Sequence, residues 1–160
     1  MKHWSRADEV SEGKVTRLTA NDFPLASASG AGYVHAYAGD NWDEVVWYMR
    51  VKLSTGRMHL NFHARDDLRY LTSFGQDGTH ISKQPAQMWN DVGTNVHHPL
   101  NEWHIVEISL FEKVLWIGVD GVLEIEQQDF NPLPSGGIWL EVLDDSVVLF
   151  DDVHICEVRE

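Results

Sequence analysis

The sequence has few basic residues and an excess of acidic ones. Only 12 of its 160 residues are Lys or Arg, against 25 Asp or Glu, and the formal net charge at pH 7 is −13. Nucleic-acid binding depends on dense cationic side chains that release counterions, and anionic lipid surfaces repel a chain of this charge. We therefore expect neither nucleic acid nor a membrane as a partner.

Cysteine and long apolar segments are also scarce. The one cysteine, Cys156, has no partner for an internal disulfide, so the fold does not depend on an oxidising compartment. No stretch approaches the roughly 20 apolar residues of a membrane-spanning helix, and the first residues do not resemble a signal peptide. We expect a single domain over residues 1–160. We also expect it to be a module of a larger secreted protein, and therefore extracellular.

Several catalytic signatures are absent. The sequence contains no G-x-S-x-G nucleophile motif, no glycine-rich phosphate loop ending in Lys-Ser/Thr and no dinucleotide-binding fingerprint. These absences exclude the common hydrolase, nucleotide-binding and dehydrogenase patterns.

The pattern that is present is an alternation of apolar and polar residues, which is typical of β-strands with one buried face. One such run has Val45, Trp47, Met49 and Val51 on the same face. A second has Met58, Leu60, Phe62 and Ala64 on one face and His59, Asn61, His63 and Arg65 on the other. A third has His104, Val106, Ile108 and Leu110 on one face. A helical period of 3.6 is hardly found, so the sequence predicts an all-β chain.

Two local irregularities follow from the same reasoning. In the hairpin around Asp120-Gly121, a three-residue loop pairs Ile117 with Leu123 and sets Trp116 beside Glu124. Phe150 and Val153 share a face only if the last strand bulges between them. About a dozen short strands with turns between them indicate a two-sheet antiparallel β-sandwich with jelly-roll connections.

A series of short motifs in the C-terminal half resembles a known superfamily. Their order is Trp103-His104-x-Val106-x-Ile108, Val119-Asp120-Gly121, Pro134-Ser135-Gly136-Gly137-Ile138 and Phe150-Asp151-Asp152-Val153. This order is similar to that of the concanavalin A-like lectin/glucanase superfamily, in particular its laminin-G-like and glucanase-like modules. The resemblance implies a sandwich with one concave sheet whose outer face commonly holds a glycan. Members include lectins, carbohydrate-binding modules, glycosidases, polysaccharide lyases and adhesion domains.

The candidate glycan contacts are aromatic and polar residues. Sugars stack their C–H faces on exposed rings, while amides, carboxylates and Arg bind their hydroxyls. The residues that fit are Trp139, Trp89, Tyr70, His59, Asn61, His63, Arg65 and Glu141. The alternative interpretation is a polar sheet face, with the tryptophans packed under loops or covering the outer sheet.

Enzymatic alternatives remain open on the same face. A glycosidase would need paired carboxylates, and the nearest match to the glucanase pattern, Glu124-Ile125-Glu126, has Gln128 at the acid/base position. A polysaccharide lyase would use His59 or His63 with Tyr70 or Arg65. His59 and His63 are about 13 Å apart along a strand, too far to share a zinc ion without further ligands.

The resemblance also implies a structural calcium ion beside the last strand. Asp151 or Asp152 is the candidate ligand, and the alternative is a pair of solvent-facing carboxylates at a bulge. We expect no required cofactor. The sequence therefore predicts a non-catalytic carbohydrate-binding module, with a polysaccharide lyase or glycoside hydrolase, or an adhesion domain without a sugar site, as alternatives.

Overall fold

The chain is described from a computed structural model, which covers the backbone of residues 13–18, 25–29, 33–85, 91–142 and 146–158. The side chains described are those of residues 38–39, 41–85, 91–142 and 146–157. Within these residues the chain forms strands and turns without a helix, which confirms the all-β prediction. No helix in this part of the chain is long and apolar enough to cross a membrane.

In the described part of the chain, thirteen antiparallel strands form two sheets. The six-stranded sheet has the order β1-β13-β4-β9-β10-β11. Its strands are β1 (Gly13–Leu18), β4 (Val45–Thr55), β9 (His104–Phe111), β10 (Val114–Val119), β11 (Val122–Gln128) and β13 (Val147–Val158). The seven-stranded sheet has the order β2-β3-β12-β5-β6-β7-β8. Its strands are β2 (Leu25–Ser29), β3 (Tyr33–Trp42), β5 (Arg57–Arg65), β6 (Leu68–Gly75), β7 (Gly78–Gln84), β8 (Val92–Gly93) and β12 (Gly136–Val142).

The two sheets pack face to face around one hydrophobic core, as the alternation predicts. The apolar residues of β4 and β9 are buried in register: Trp47 is opposite Ile108 and Met49 is opposite Val106. From the other sheet, Leu60 of β5 and Leu140 of β12 join the same core. Burial of these faces is the main force that holds the layers together.

The β10–β11 hairpin differs from the predicted register. The turn contains only Asp120 and Gly121, both at positive φ, and Val119 pairs with Val122. The register then shifts between Gly118 and Ile117, so Gly118 pairs with Leu123 and Ile117 pairs with Ile125. Trp116 therefore lies opposite Glu126, and its indole N–H donates to Glu126 Oε2 at 3.0 Å. The three-residue loop was wrong because a bulge inside β11, which the sequence did not reveal, keeps the apolar residues inward.

The bulge predicted in β13 is present. The pairing of β13 with β4 shifts between Asp151 and His154, and Asp152 has a φ of 50°. This extra residue allows Phe150 and Val153 both to face the core. The prediction from their spacing is confirmed.

Candidate functional site

The polar face predicted on β5 lies on the outside of the seven-stranded sheet, next to β12. The strand register sets Trp139 opposite Asn61 and Glu141 opposite His59. On the other side of β12, the backbone register of β3 sets Tyr37 opposite Trp139 and His35 opposite Glu141. Since alternate residues of a strand share a face, the Trp139 and Glu141 side chains lie beside those of His59 and Asn61.

Glu141 is the centre of a hydrogen-bonded group on this face. Asn61 Nδ2 donates to Glu141 Oε2 at 2.9 Å, and His59 Nδ1 lies 3.2 Å from the same oxygen. From β6, Arg69 donates to Glu141 Oε1 at 3.4 Å. We call these four residues, together with Trp139, the Glu141 cluster.

The cluster keeps the Glu141 carboxylate ionised although its side chain is buried. Burial alone would raise the pKa of Glu141. The hydrogen bonds from His59 and Asn61 and the charges of Arg69 and His59 outweigh that effect, and lower the pKa from 4.5 to about 2. A carboxylate fixed in this way is an oriented hydrogen-bond acceptor at neutral pH.

Arg69 covers the centre of the cluster. Strand β5 lies between β12 and β6, so Arg69 must reach across Asn61 to contact Glu141. Its guanidinium carbon also lies 5.8 Å from the centre of the Trp139 ring. Arg69 and Trp139 are partly exposed, while Asn61 beneath them is fully buried. These two side chains, together with the partly exposed His59, thus form the solvent-facing surface of the cluster.

Two buried polar atoms of the cluster have no hydrogen-bond partner among the described residues. Asn61 Nδ2 faces both Glu141 and the Trp139 carbonyl oxygen, which fixes the orientation of the amide. Its Oδ1 atom is then a buried acceptor without a donor, and Arg69 Nε is a buried donor without an acceptor. Most buried polar groups are paired, so an unpaired acceptor and an unpaired donor in one cluster indicate a place where a ligand or water completes the bonding.

A second polar group lies further along the same face. Arg57, on the same side of β5 as His59, donates to Ser73 Oγ at 3.0 Å and to Asp77 Oδ1 at 2.5 Å. Neither Arg57 nor Arg69 was among the site residues predicted from the sequence. The alternation of β5 and β6, which puts both on the polar side, was the available signal.

The structure does not bring His63 to this face, although the sequence predicted that it shares a face with His59. His63 has a φ of 48°, and the pairing of β5 with β6 shifts between Phe62 and Arg65. The imidazole is turned inward and buried, with Nδ1 at 3.1 Å from the Leu133 carbonyl oxygen and Nε2 at 2.8 Å from that of Asp43. The bulge reverses the alternation, which is why the period-two prediction was wrong here.

Tyr70 is also inside the sandwich and not on the polar face. Its hydroxyl donates to Asp129 Oδ2 at 2.7 Å and accepts a bond from the Leu133 backbone N–H at 2.9 Å. Burial, followed by the hydrogen bond to Asp129, raises the pKa of Tyr70 above its ordinary value. The lyase arrangement of a histidine with Tyr70 is therefore not assembled on this face.

The other predicted residues have varied positions. Arg65 is exposed at the end of β5, beyond the bulge, and Trp89 lies outside the described residues. Asp151 is exposed, and Asp152 forms an ion pair with Arg50 at 3.5 Å. The described part of the chain contains no group of three or more His, Cys, Asp or Glu placed to hold a metal ion. The calcium site stays a prediction.

The two acidic residues of β11, Glu124 and Glu126, contact different partners. Glu124 contacts His98 and Thr94 and its side chain is buried, while Glu126 is exposed and binds Trp116. This difference follows from the irregular pairing of β11 with β10. The two carboxylates have separate partners, which does not favour a shared glycosidase role.

Comparisons with known proteins confirm the fold. No protein-family model matches the chain, and no curated protein matches its sequence. The carbohydrate binding module CBM66 from Bacillus subtilis superposes with a TM-score of 0.66 at 14% identity, over 89% of this chain and 95% of that one. The galectin LEC-6 from Caenorhabditis elegans gives a TM-score of 0.58 at 12% identity, over 89% of this chain and 99% of that one. The Crh5 transglycosylase in complex with NAG gives a TM-score of 0.66 at 6% identity, over 91% and 84% of the two chains.

The comparisons support the resemblance seen in the sequence at the level of fold. The chain is a concanavalin A-like jelly-roll β-sandwich, the fold that these carbohydrate-related proteins share.

Proposed function

We propose that the chain binds a carbohydrate on the outer face of the seven-stranded sheet, at the Glu141 cluster. The observation that carries this proposal is the pair of unpartnered atoms, Asn61 Oδ1 and Arg69 Nε, beside the Trp139 ring. A sugar offers both a hydroxyl that donates and a hydroxyl that accepts, together with an apolar face for the ring. The carbohydrate binding module and the galectin with this fold support the same assignment.

The chemistry of the two atoms favours a neutral sugar. A hydroxyl donates to Asn61 Oδ1 once the Arg69 side chain turns outward, and a neighbouring hydroxyl accepts from Arg69 Nε–H. A carboxylate only accepts hydrogen bonds, so it leaves Asn61 Oδ1 unsatisfied and brings a second negative charge towards Glu141. The proposed ligand is therefore a neutral glycan with adjacent hydroxyl groups.

We propose a binding role without catalysis. The cluster contains one carboxylate, Glu141, whose pKa is lowered, whereas a general acid on a glycosidic bond needs a raised pKa. His63 and Tyr70 are turned away from the face, so neither is available there as a base. The extracellular location and the calcium ion remain part of this proposal as predictions.

Affinity electrophoresis tests the proposal. Each gel contains one polymer. The neutral polymers are fructan, galactan, mannan, β-glucan and a soluble chitin derivative, and the acidic polymer is polygalacturonate. We expect at least one neutral polymer to retard the protein, and polygalacturonate to have no effect. Glu141→Gln should abolish the retardation, while Glu126→Gln, an exposed carboxylate on the other sheet, should leave it intact. Unretarded migration in all the neutral gels, or equal retardation of both variants, would contradict the proposal.

Two further arms separate the alternatives. Addition of a calcium chelator should abolish retardation only if a bound calcium ion supports the site. Incubation of the retarding polymer with the protein, followed by sizing of the polymer, should show no shortening. A shortened polymer would replace the non-catalytic proposal with a lyase or hydrolase function.

A further inference from the structure

The outer face of the six-stranded sheet carries most of the large apolar side chains that the described residues expose. Six such side chains are exposed, and four of them lie on this face: Val147 at 55%, Leu149 at 51%, Ile105 at 49% and Trp103 at 39%. The other two are Val96 and Phe130. Exposed apolar side chains that are scattered need no explanation, but a cluster of them indicates an interaction surface.

The strand register makes these residues neighbours. On β13, Leu149 lies opposite Lys52 of β4, and on β9, Ile105 lies opposite Arg50 of β4. Trp103 precedes β9, and its ring centre lies 4.6 Å from the Arg50 guanidinium carbon and 5.4 Å from Lys52 Nζ. We call Val147, Leu149, Trp103 and Ile105 the Leu149 patch. Val147 and Leu149 on β13 form one apolar column, and Trp103 and Ile105 at β9 form the other. Between them, on β4, lie the two cations Arg50 and Lys52.

The patch has a charge balance unlike that of the whole chain. The chain has a net charge of −13, but here Arg50 and Lys52 stand beside Asp151 and Asp152. Arg50 is paired with Asp152 at 3.5 Å. Lys52 and Asp151 form no ion pair with any described residue, although they occupy neighbouring strands on the same exposed face. A contact between two copies of an acidic protein meets less repulsion at a balanced face than elsewhere.

We propose that a second copy of this chain binds the Leu149 patch across a two-fold axis. In a two-fold interface residue i of one copy contacts residue j of the other, and j contacts i. In the proposed interface the axis lies between Lys52 and Asp151, which occupy neighbouring strands, so that the Lys52 of each copy meets the Asp151 of the other and the two Leu149 side chains lie against each other. The face carries both partners of the ion pair that the single chain leaves unformed.

The arrangement has a consequence for the proposed glycan binding, although it does not depend on it. The Leu149 patch and the Glu141 cluster lie on opposite sheets, so two copies joined at the patch present two glycan faces directed away from each other. A polymer that reaches both faces gains avidity without any new contact.

Light scattering and sedimentation velocity over a concentration series test the proposed contact. We expect wild-type protein to form a dimer, and Leu149→Glu or Ile105→Glu to raise the dimer dissociation constant at least tenfold. Val96→Glu, which places the same charge at a side chain 46% exposed outside the patch, should leave the constant unchanged. A wild-type monomer at protein concentrations up to about 1 mM, the range of very weak association, would overturn the proposal. A Leu149→Glu variant that dimerises as the wild type does would also overturn it.

A charge exchange tests the two-fold geometry and does not depend on fold stability. Lys52→Asp alone and Asp151→Lys alone should each weaken the dimer, because each creates two like-charge contacts. A mixture of the two variants should dimerise again, since both symmetry-related contacts then unite opposite charges. A mixture that stays as weak as its separate components would overturn the assigned contact. The test is independent of sugar binding, which the Glu141→Gln variant reports separately.

Discussion

His98 binds Glu124 through its Nε2 atom, 2.8 Å from the carboxylate oxygen Oε1, while its Nδ1 atom lies 2.8 Å from the Gly75 carbonyl oxygen. Both ring nitrogens face acceptors, and only the protonated ring provides an N–H donor to each. The backbone N–H of His98 also donates to the Gln76 carbonyl oxygen at 3.0 Å. These bonds join the segment after β8 to the β6–β7 turn and to β11.

The stability of the protein should therefore depend on the protonation of His98. Burial alone would lower the pKa of His98, but the bonds to Glu124 and Gly75 and the charges of Glu124 and Asp120 raise it above 6.5. Because the pKa is higher in the folded state, the contribution is fully present below pH 6.5 and is lost as the pH rises through the raised value. Each unit by which folding raises the pKa adds about 1.4 kcal/mol to the free energy of unfolding at low pH.

The measurement is the free energy of unfolding in urea at several pH values. The difference between wild type and His98→Gln should be largest below pH 6.5 and should shrink at higher pH. A difference that is constant, or that grows with pH, would show that the protonated ring does not hold this segment.

Breaking the buried group of Tyr70, Asp129 and Lys83 should lower the free energy of unfolding more than breaking an exposed ion pair does. Lys83 Nζ lies 2.7 Å from Asp129 Oδ2 and also donates to the Asn131 carbonyl oxygen, and both Lys83 and Asp129 are buried. Asp129→Ala leaves the Lys83 charge buried without its partner, so we expect a loss of about 3–5 kcal/mol in the free energy of unfolding. Asp77→Ala, which breaks the exposed pair with Arg57, should cost at most about 1 kcal/mol.

Urea unfolding of both variants at neutral pH compares the two pairs directly. Equal losses in the two variants would contradict the role assigned to burial. The comparison is matched, because each variant removes one aspartate from one ion pair.

Much of the fold follows from the sequence, because burial enforces alternation wherever the strands are regular. The pattern of Trp47 and Met49 on β4, and the spacing of Phe150 and Val153 on β13, predicted the core face and the bulge. The predictions failed where a residue adopts a conformation that alternation does not show. The positive φ of His63 turns its ring into the core.

Part of the Glu141 cluster was predicted because its strands alternate regularly. Trp139, Glu141, His59 and Asn61 were selected from regular strands and are together in the structure. Arg69 and Tyr70 are adjacent on a regular strand, and the buried Phe74 on the same face as Tyr70 was the signal that Tyr70 points inward and Arg69 outward. The role of Glu124 with His98 depends on a long loop, and no local pattern in the sequence indicates such a contact.

Glu141 should make the protein sensitive to acid. Its folded-state pKa of about 2 lies below the ordinary 4.5, so its contribution to stability is present above pH 4.5 and is lost as the pH falls towards 2. The difference in the free energy of unfolding between wild type and Glu141→Gln should shrink over this interval. Urea unfolding between pH 5 and pH 2 measures it, and a difference unchanged by pH would contradict the hydrogen-bonded carboxylate described here.

Trp139 should contribute to glycan affinity through its half-buried ring, which is partly open to solvent. Trp139→Ala should weaken binding of the polymer that retards the wild type by at least tenfold, which corresponds to about 1.4 kcal/mol. Trp116→Ala provides the control, because Trp116 is also half-buried but lies on the six-stranded sheet. Isothermal titration with both variants gives the two affinities, and an equal loss in both would exclude a specific role for Trp139.

The most direct test of glycan binding at the Glu141 cluster is a map of backbone amide chemical shifts by NMR. The probe is a series of short oligosaccharides made by partial hydrolysis of the polymer that retards the protein. We predict that the shifts concentrate at His59, Asn61, Arg69, Trp139 and Glu141, with the six-stranded sheet unchanged. Shifts confined to the six-stranded sheet, or to loops away from these residues, would show that the sugar binds elsewhere.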